Sequence, residues 1–297
     1  MKTFDYVTPQ TLQEAAAVLS QYHEQAKVLA GGTDLLVQMR AGTRAAAVVV
    51  DVKKIPELNE LVCNTSIGLQ IGAAVPCFRI WNDAAVARLY PGLRDAVALI
   101  GGIQIQSRAT LGGNVSNASP AADSIPALIV HESICEIVGD GGVRNIPVEN
   151  LCAAPGRTIL NASEFIARFH IPPPVSGFGA SYLRFIPRNE MDIAVASAGA
   201  AVVLDQGGER IVSARVALGA VAPTPLLVTA AGDALAGQPV SDEVINEAAQ
   251  LAAAAARPIS DVRGSAAQRI HLAAVLTRRA LDKAIQRARE SLREAQP

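Results

Sequence analysis

The residues best suited to chemistry in this 297-residue chain lie in two glycine-rich stretches. The first runs Val28, Leu29, Ala30, Gly31, Gly32, Thr33, Asp34, Leu35, an apolar strand-like run followed by paired glycines, a hydroxyl and a carboxylate. The second, Thr110 to Pro126 (TLGGNVSNASPAADSIP), sets Gly112 and Gly113 before Asn114 and carries Asp123 near its end. Glycine has the greatest backbone freedom, and Ser and Asn compete for backbone hydrogen bonds, so both stretches read as loops. Loops of this kind lay bare N–H groups and hydroxyls against an anionic or polar ligand. Two in one chain point to a diphosphate held from two sides. Taken singly, each glycine pair is also what a tight strand-to-helix turn requires. Asp123 taken singly fits the cap of a helix that begins at Ser124 or Ile125.

Other chemistries find less support. No GxGxxG opens a helix after the first strand, and no GxxxxGK[ST] occurs, so Rossmann and P-loop sites are unsupported. The four cysteines (Cys63, Cys77, Cys135, Cys152) form no CxxC pair and the four histidines are dispersed, so no metal site is expected. They read as ordinary buried thiols. A net charge of −1, no dense basic run before the last helix and 4% aromatic residues argue against nucleic acid as a partner. The opening MKTFDYVTPQ lacks the apolar core of a signal peptide, and no apolar run approaches membrane-spanning length. The expected location is therefore the cytoplasm.

With 50% hydrophobic and 18% charged residues, the chain can bury a full core, as one large or two medium domains. Thr11 and Glu14 form a capping box, and Leu12, Ala15, Ala16 and Leu19 follow at helical spacing. Strands are expected at 27–30, leading into the first glycine loop, and at 47–52, 67–73, 134–138 and 165–171. Helices are expected at 83–90 and 92–100, the second closed by Gly101 and Gly102. A polar run at 104–108 leads into the second loop, and Asp140, Gly141 and Gly142 make a hairpin turn. Pro172, Pro173 and Pro174 mark a boundary. Beyond it lie expected strands at 192–204 and 210–218 and Ala-rich helices at 242–255 and 266–292. Strands and helices mix without strict βαβ alternation, so the class is α+β.

The two glycine stretches, in their order and spacing, resemble the FAD-binding segments of the medium subunits of molybdenum hydroxylases, the xanthine dehydrogenase and aerobic CO dehydrogenase type. The likeness continues in Ile55-Pro-Glu-Leu-Asn59, in Arg184 through Ile193 (RFIPRNEMDI) and in Asp261-Val-Arg-Gly-Ser265, and so covers nearly the whole chain. It implies a two-part FAD-binding domain of the vanillyl-alcohol-oxidase (PCMH) type over residues 1–176. A smaller α+β domain, like the C-terminal domain of CO dehydrogenase flavoproteins, would occupy 177–297. Residues Val28 to Leu35 would wrap the diphosphate, with Ala30 to Thr33 offering N–H groups. Thr110, Gly112, Gly113 and Asn114 would hold it from the other side, with glycine at both loops because any Cβ would block close backbone approach. Asp123 would accept a hydrogen bond from the adenosine end. Ile100 and Ile166 match contacts around the flavin or adenine, and Arg184 falls where relatives carry a cation near the flavin ring.

The resemblance implies an electron-transfer role with no catalytic acid or base of the chain's own. Electrons would come from [2Fe-2S] clusters on a small subunit, after oxidation of the substrate at a molybdenum cofactor on a large subunit. A dimer of heterotrimers is implied. Relatives with covalent flavin carry a His beside the first loop, and this chain has none there, so its FAD should be noncovalent. Its unclustered cysteines leave no place for the extra iron–sulfur cluster of one family branch. Gln268 stands where many relatives have Tyr. Two competing readings are a free-standing FAD-dependent oxidase or reductase acting on its own substrate, and a scaffold that has lost FAD. The resemblance implies that substrate choice is set in the large subunit's pocket.

Overall fold

The computed structural model describes residues 2–294. It begins with a three-stranded parallel sheet made by β1 (Asp5–Val7), β2 (Ala26–Leu29) and β3 (Val48–Asp51), in the order β1-β3-β2. Helix α1 (Leu12–Tyr22) crosses between β1 and β2, and the short α2 (Leu35–Arg40) between β2 and β3. The cap of α1 forms: the Glu14 N–H donates to Thr11 Oγ1 at 3.1 Å, while Glu14 Oε2 accepts at 2.7 Å from the N–H of Gln10, one residue before the Thr11 donor of a full capping box. Ala15, Ala16 and Leu19 of α1 are buried, as their spacing predicts. All four residues of β3 are buried, which fits the continuous β-branched run of a parallel strand.

A five-stranded antiparallel sheet follows, built from β4 (Leu61–Asn64), β5 (Gly68–Gly72), β6 (Ile134–Gly139), β7 (Gly142–Pro147) and β10 (Phe165–Ile171) in the order β4-β5-β10-β6-β7. Between β5 and β6 the chain forms six short helices: α3 (Cys77–Trp81), α4 (Ala84–Leu89), α5 (Pro91–Val97), α6 (Ile103–Gln106), α7 (Leu111–Ser116) and α8 (Ser124–Val130). A small hairpin, β8 (Cys152–Ala154) with β9 (Arg157–Thr158), precedes β10.

The last part is a four-stranded antiparallel sheet of β11 (Phe178–Phe185), β12 (Ala196–Leu204), β13 (Ile211–Gly219) and β14 (Leu226–Leu227), in chain order. Helices α9 (Thr229–Leu235), α10 (Asp242–Ala255) and α11 (Ala266–Glu294) cover it, α11 lying on β11 and β12. Alanine fills both sides of that contact, Ala196, Ala198 and Ala200 against Ala273, Ala280, Ala284 and Ala288, which lets helix and sheet approach closely. The architecture is α+β. The expected C-terminal range ends at 297, and residues 295–297 lie outside those described.

Helix α8 joins the parts. It packs on β12 and β13 at Gly199 and Gly219, where an added Cβ would come within 2.9 Å of the Pro126 carbonyl oxygen and 3.1 Å of Pro126 Cγ. Arg287 of α11 clamps Asp95 of α5 with bonds of 2.6 and 3.0 Å and also donates to the Ala180 carbonyl at 2.8 Å.

Three local expectations change. Thr110 to Pro126 is not a loop throughout, because Leu111–Ser116 is helical. Thr110 caps that helix, accepting from the Gly113 N–H at 3.0 Å, and the Gly112 N–H donates to the Ala73 carbonyl at 3.1 Å. These bonds outweigh the poor helix propensity of two glycines. The polar run after Gly102 includes a one-turn helix rather than only a connection. Strand β12 starts at Ala196 rather than near Asp192, because its ladder with β11 begins at the Phe185–Ala196 pair, while the Asp192 carboxylate accepts from the Ile193 N–H and from Arg188.

Candidate functional site

The β2–α2 turn and α7 face each other across a cleft of roughly 230 Å³. The glycines bring these walls together. An alanine Cβ at Gly31 would lie 2.2 Å from the Arg108 carbonyl oxygen, and one at Gly112 would lie 2.5 Å from both Ala73 Cβ and its carbonyl oxygen. Gly32 has a φ of +74°, in the left-handed region that favours glycine. At Gly113 an added Cβ would meet the Thr110 hydroxyl alone, at 3.0 Å. Glycine at positions 31 and 112 therefore serves the contact between protein backbones, the close approach that a Cβ would block.

The hydrogen-bond inventory of the two walls differs. Among the described residues, no hydrogen bond takes up the backbone N–H of Gly31, Gly32, Thr33 or Asp34. Their carbonyls start α2 instead, Gly32 accepting from Leu36 at 3.1 Å and Asp34 from Gln38 at 2.9 Å. A run of free donors at the cleft surface suits an anion with several oxygens. On the opposite wall the Gly112, Gly113 and Asn114 N–H groups are already taken, by Ala73, Thr110 Oγ1 and the Thr110 carbonyl. That wall offers side chains: the Thr110 hydroxyl, Ser116, Asn117 and the Asn114 amide. Gln38 Oε1 also lacks a partner, although it is buried in a residue lining the cleft. An acceptor buried without a donor awaits one.

Charge in the cleft is modest. Burial raises the Asp34 carboxyl above its ordinary range, with Arg44 opposing the shift. Glu164 is held by Arg144 in paired bonds of 2.7 and 2.8 Å, and that guanidinium lowers its pKa. Ile100, Leu160, Phe165 and Ile166 give the cleft apolar walls for ring systems.

The cleft gathers most of the expected site residues: Val28, Ala30, Gly31, Gly32, Thr33, Asp34, Leu35, Ile100, Thr110, Gly112, Gly113, Asn114 and Ile166 all line it. Leu29 does not, since its side chain is buried with Met39, Ala46 and Val49 behind the sheet. Asp123 and Arg184 bind each other. Arg184 Nη1 donates to Asp123 Oδ2 at 2.6 Å, and the Tyr182 hydroxyl donates to Asp123 Oδ1 at 2.7 Å. Neither of the two lines the cleft. Asp123 holds the cap position of α8, but its side chain makes no cap bond. Burial pushes its carboxyl up to about 6, with Arg184 and Tyr182 pulling down.

Sequence reasoning missed Gln38, Ala73, Ser116, Asn117, Leu160 and Phe165, which also line the cleft. Gln38 lies one helical turn beyond Asp34, and Ser116 and Asn117 belong to the GGNVSN run, so spacing could have found these three. Leu160 and Phe165 arrive from a distant strand region and carry no local signal.

Residues 2–174 match the protein family described as the FAD binding domain in molybdopterin dehydrogenase. The chain belongs to this family. Residues 181–284 match the CO dehydrogenase flavoprotein C-terminal domain. The chain is 30% identical over 276 residues to the xanthine dehydrogenase FAD-binding subunit of Escherichia coli O157:H7, covering 93% of this chain and 94% of that protein. It is 32% identical over 288 residues to the carbon monoxide dehydrogenase medium chain of Afipia carboxidovorans, covering 97% and 98%. Its fold superposes with a TM-score of 0.91, at 30% identity, on a chain of the Hydrogenophaga pseudoflava carbon monoxide dehydrogenase, covering 96% of this chain and 98% of that one. The chain is thus a subunit of the oxidoreductase type, with the two-part FAD-binding fold followed by the CO dehydrogenase flavoprotein C-terminal domain. The site fits the cofactor on its own terms: free backbone donors suit the diphosphate, apolar walls suit the rings, and buried Gln38 Oε1 lacks a donor.

Proposed function

We propose that this chain is the FAD-carrying electron-transfer subunit of a molybdenum-containing hydroxylase or dehydrogenase. It would take electrons from [2Fe-2S] clusters of a small partner subunit and pass them to an external acceptor. The observation that carries this reading is one cleft, in a chain of this family, where the free N–H groups of Gly31 to Asp34 face the Thr110–Asn114 wall. When bound, FAD supplies a redox centre able to exchange electrons singly or in pairs.

The chain's own residues have positioning work. The donors of the β2–α2 turn hold the diphosphate, and Thr110 and Asn114 hold it from α7. The Ile100, Ile166, Leu160 and Phe165 side chains exclude water from the rings. Asp123 and Arg184, an ion pair that does not line the cleft, would act on it indirectly. No His, Tyr or Cys lines the cleft among the described residues, which supports noncovalent binding; its carboxylates are Asp34 and Glu164, the latter engaged by Arg144.

In this reading the molybdenum cofactor sits on a large partner subunit, the assembly is a dimer of heterotrimers, and it works in the cytoplasm. Among the described residues, no helix is long and apolar enough to cross a membrane, and no His/Cys/Asp/Glu cluster is placed to hold a metal. Relatives named for xanthine and for carbon monoxide are similar to this chain at 30% and 32% identity, so the substrate is set elsewhere in the complex.

The test is anaerobic reduction of the FAD-loaded chain. The visible flavin bands should persist with xanthine, aldehydes or carbon monoxide alone and bleach on adding a chemically reduced [2Fe-2S] protein. Bleaching by an organic substrate alone would favour a free-standing oxidase or reductase.

A further inference from the structure

Among the described residues, Asn114 is the one side chain of the α7 wall whose orientation is fixed from outside the cleft. Its Oδ1 accepts from Ser124 Oγ at 2.6 Å and from the Ser124 backbone N–H at 3.4 Å. A backbone N–H can only donate, so the amide oxygen must face α8, and Nδ2 is turned away from it. Among the described residues, no protein acceptor takes that Nδ2 group, while Asn114 itself lines the cleft.

Ser124 directly follows Asp123, which is held from the C-terminal sheet. The preceding residue, Asp123, spends one carboxylate oxygen on the Tyr182 hydroxyl and the other on Arg184. Tyr182 and Arg184 are two residues apart on β11 and so share one face of the strand. Ser124 is 0% exposed, Tyr182 1% and Asp123 7%, so water cannot substitute for these bonds. Arg184 Nε is buried without an acceptor, so the guanidinium has not been placed to maximise its own bonding.

We infer that the C-terminal sheet aims the Asn114 amide into the cleft through a relay of Arg184 and Tyr182, Asp123 and Ser124. In this relay Asp123 is a positioning residue rather than a contact of the adenosine end. The inference rests on the FAD reading above for its consequence, the strength of the grip on cofactor. It explains why the second domain matters to a cleft that it does not line.

The experiment measures FAD affinity of the purified full chain by quenching of FAD fluorescence, with Tyr182→Phe and Ser124→Ala, each alone and in an Asn114→Ala background. Each single variant should weaken FAD binding about fivefold, the worth of one modest hydrogen bond. In the Asn114→Ala background neither should weaken it further, because both act through the same amide. Affinity within twofold of wild type in both single variants, or full effects retained in the Asn114→Ala background, would overturn the relay. A second readout needs no FAD: the Asn114 side-chain amide resonances of the cofactor-free chain should shift in Tyr182→Phe. Unmoved resonances overturn the relay even if FAD binds. Shifted resonances in a chain that binds no FAD support the relay and overturn the functional reading instead.

Discussion

Replacing Gly31 with alanine would drive a methyl group into the opposite wall of the cleft. The new Cβ would lie 2.2 Å from the Arg108 carbonyl oxygen, 2.9 Å from the carbonyl carbon and 3.0 Å from Ala109 Cα. All three are backbone atoms, so no side chain can swing aside. Ordinary contact requires the walls to part by about 1 Å, and overpacking of this kind costs roughly 1–3 kcal/mol. Stability should fall by that amount in urea unfolding of the cofactor-free chain, with folding retained. The larger effect is on the ligand, because parting the walls separates the free N–H run of Gly31 to Asp34 from Thr110 and Asn114. A clamp mispositioned by about 1 Å loses on the order of a hundredfold in function, so FAD should be largely absent after purification. Gly113→Ala is the matched control for stability: its Cβ meets the Thr110 hydroxyl alone, at 3.0 Å, and Ala favours the helix, so the cofactor-free chain should be no less stable than wild type. Wild-type FAD content and affinity in Gly31→Ala would refute the idea that the two walls must meet to bind.

Other outcomes follow from the same geometry. His131 is buried and donates from Nδ1 to the Ala127 carbonyl at 2.7 Å, and burial lowers its pKa from 6.5 to about 4. Between those values the unfolded chain binds a proton that the folded chain refuses. Stability should therefore be full above 6.5 and fall by up to roughly 3 kcal/mol as pH drops toward 4. His131→Phe should flatten that part of the pH–stability curve in urea melts. Thr110→Ala removes the cap of α7 and should cost about 1 kcal/mol, seen as a lower melting temperature, together with weaker FAD binding. Arg287→Met leaves the Asp95 carboxylate, now paired through its 3.3 Å contact with Lys283, largely buried, and should destabilise the chain by roughly 3 kcal/mol. An unchanged urea midpoint would show that this clamp is not what joins α11 to α5.

The alternation of β-branched residues and the helical spacing of Leu12, Ala15, Ala16 and Leu19 made the main elements legible, because burial on one face leaves a period in the sequence. Both glycine stretches were legible as walls of one site through residue type and resemblance together. What they do locally was not. The conformation of Leu111–Ser116 depends on Ala73, a tertiary partner without which two glycines would not be read as helix. The reason for glycine at 31 and 112 lies equally in distant backbone, Arg108 and Ala73. Asp123 and Arg184 are 61 positions apart, and nothing in either local sequence announces that they neutralise each other. Strand β4 was missed because its residues alternate between half-buried and exposed at a sheet edge and carry a weak apolar signal.

The most direct test of the account is the visible spectrum of the purified chain, followed by denaturation and identification of what is released. The account predicts the paired absorption bands of an oxidised flavin, no iron absorption, and FAD released intact at about one per chain. A well-folded chain that stays colourless after incubation with excess FAD would contradict it. Flavin that remains attached to the denatured polypeptide would contradict the noncovalent site.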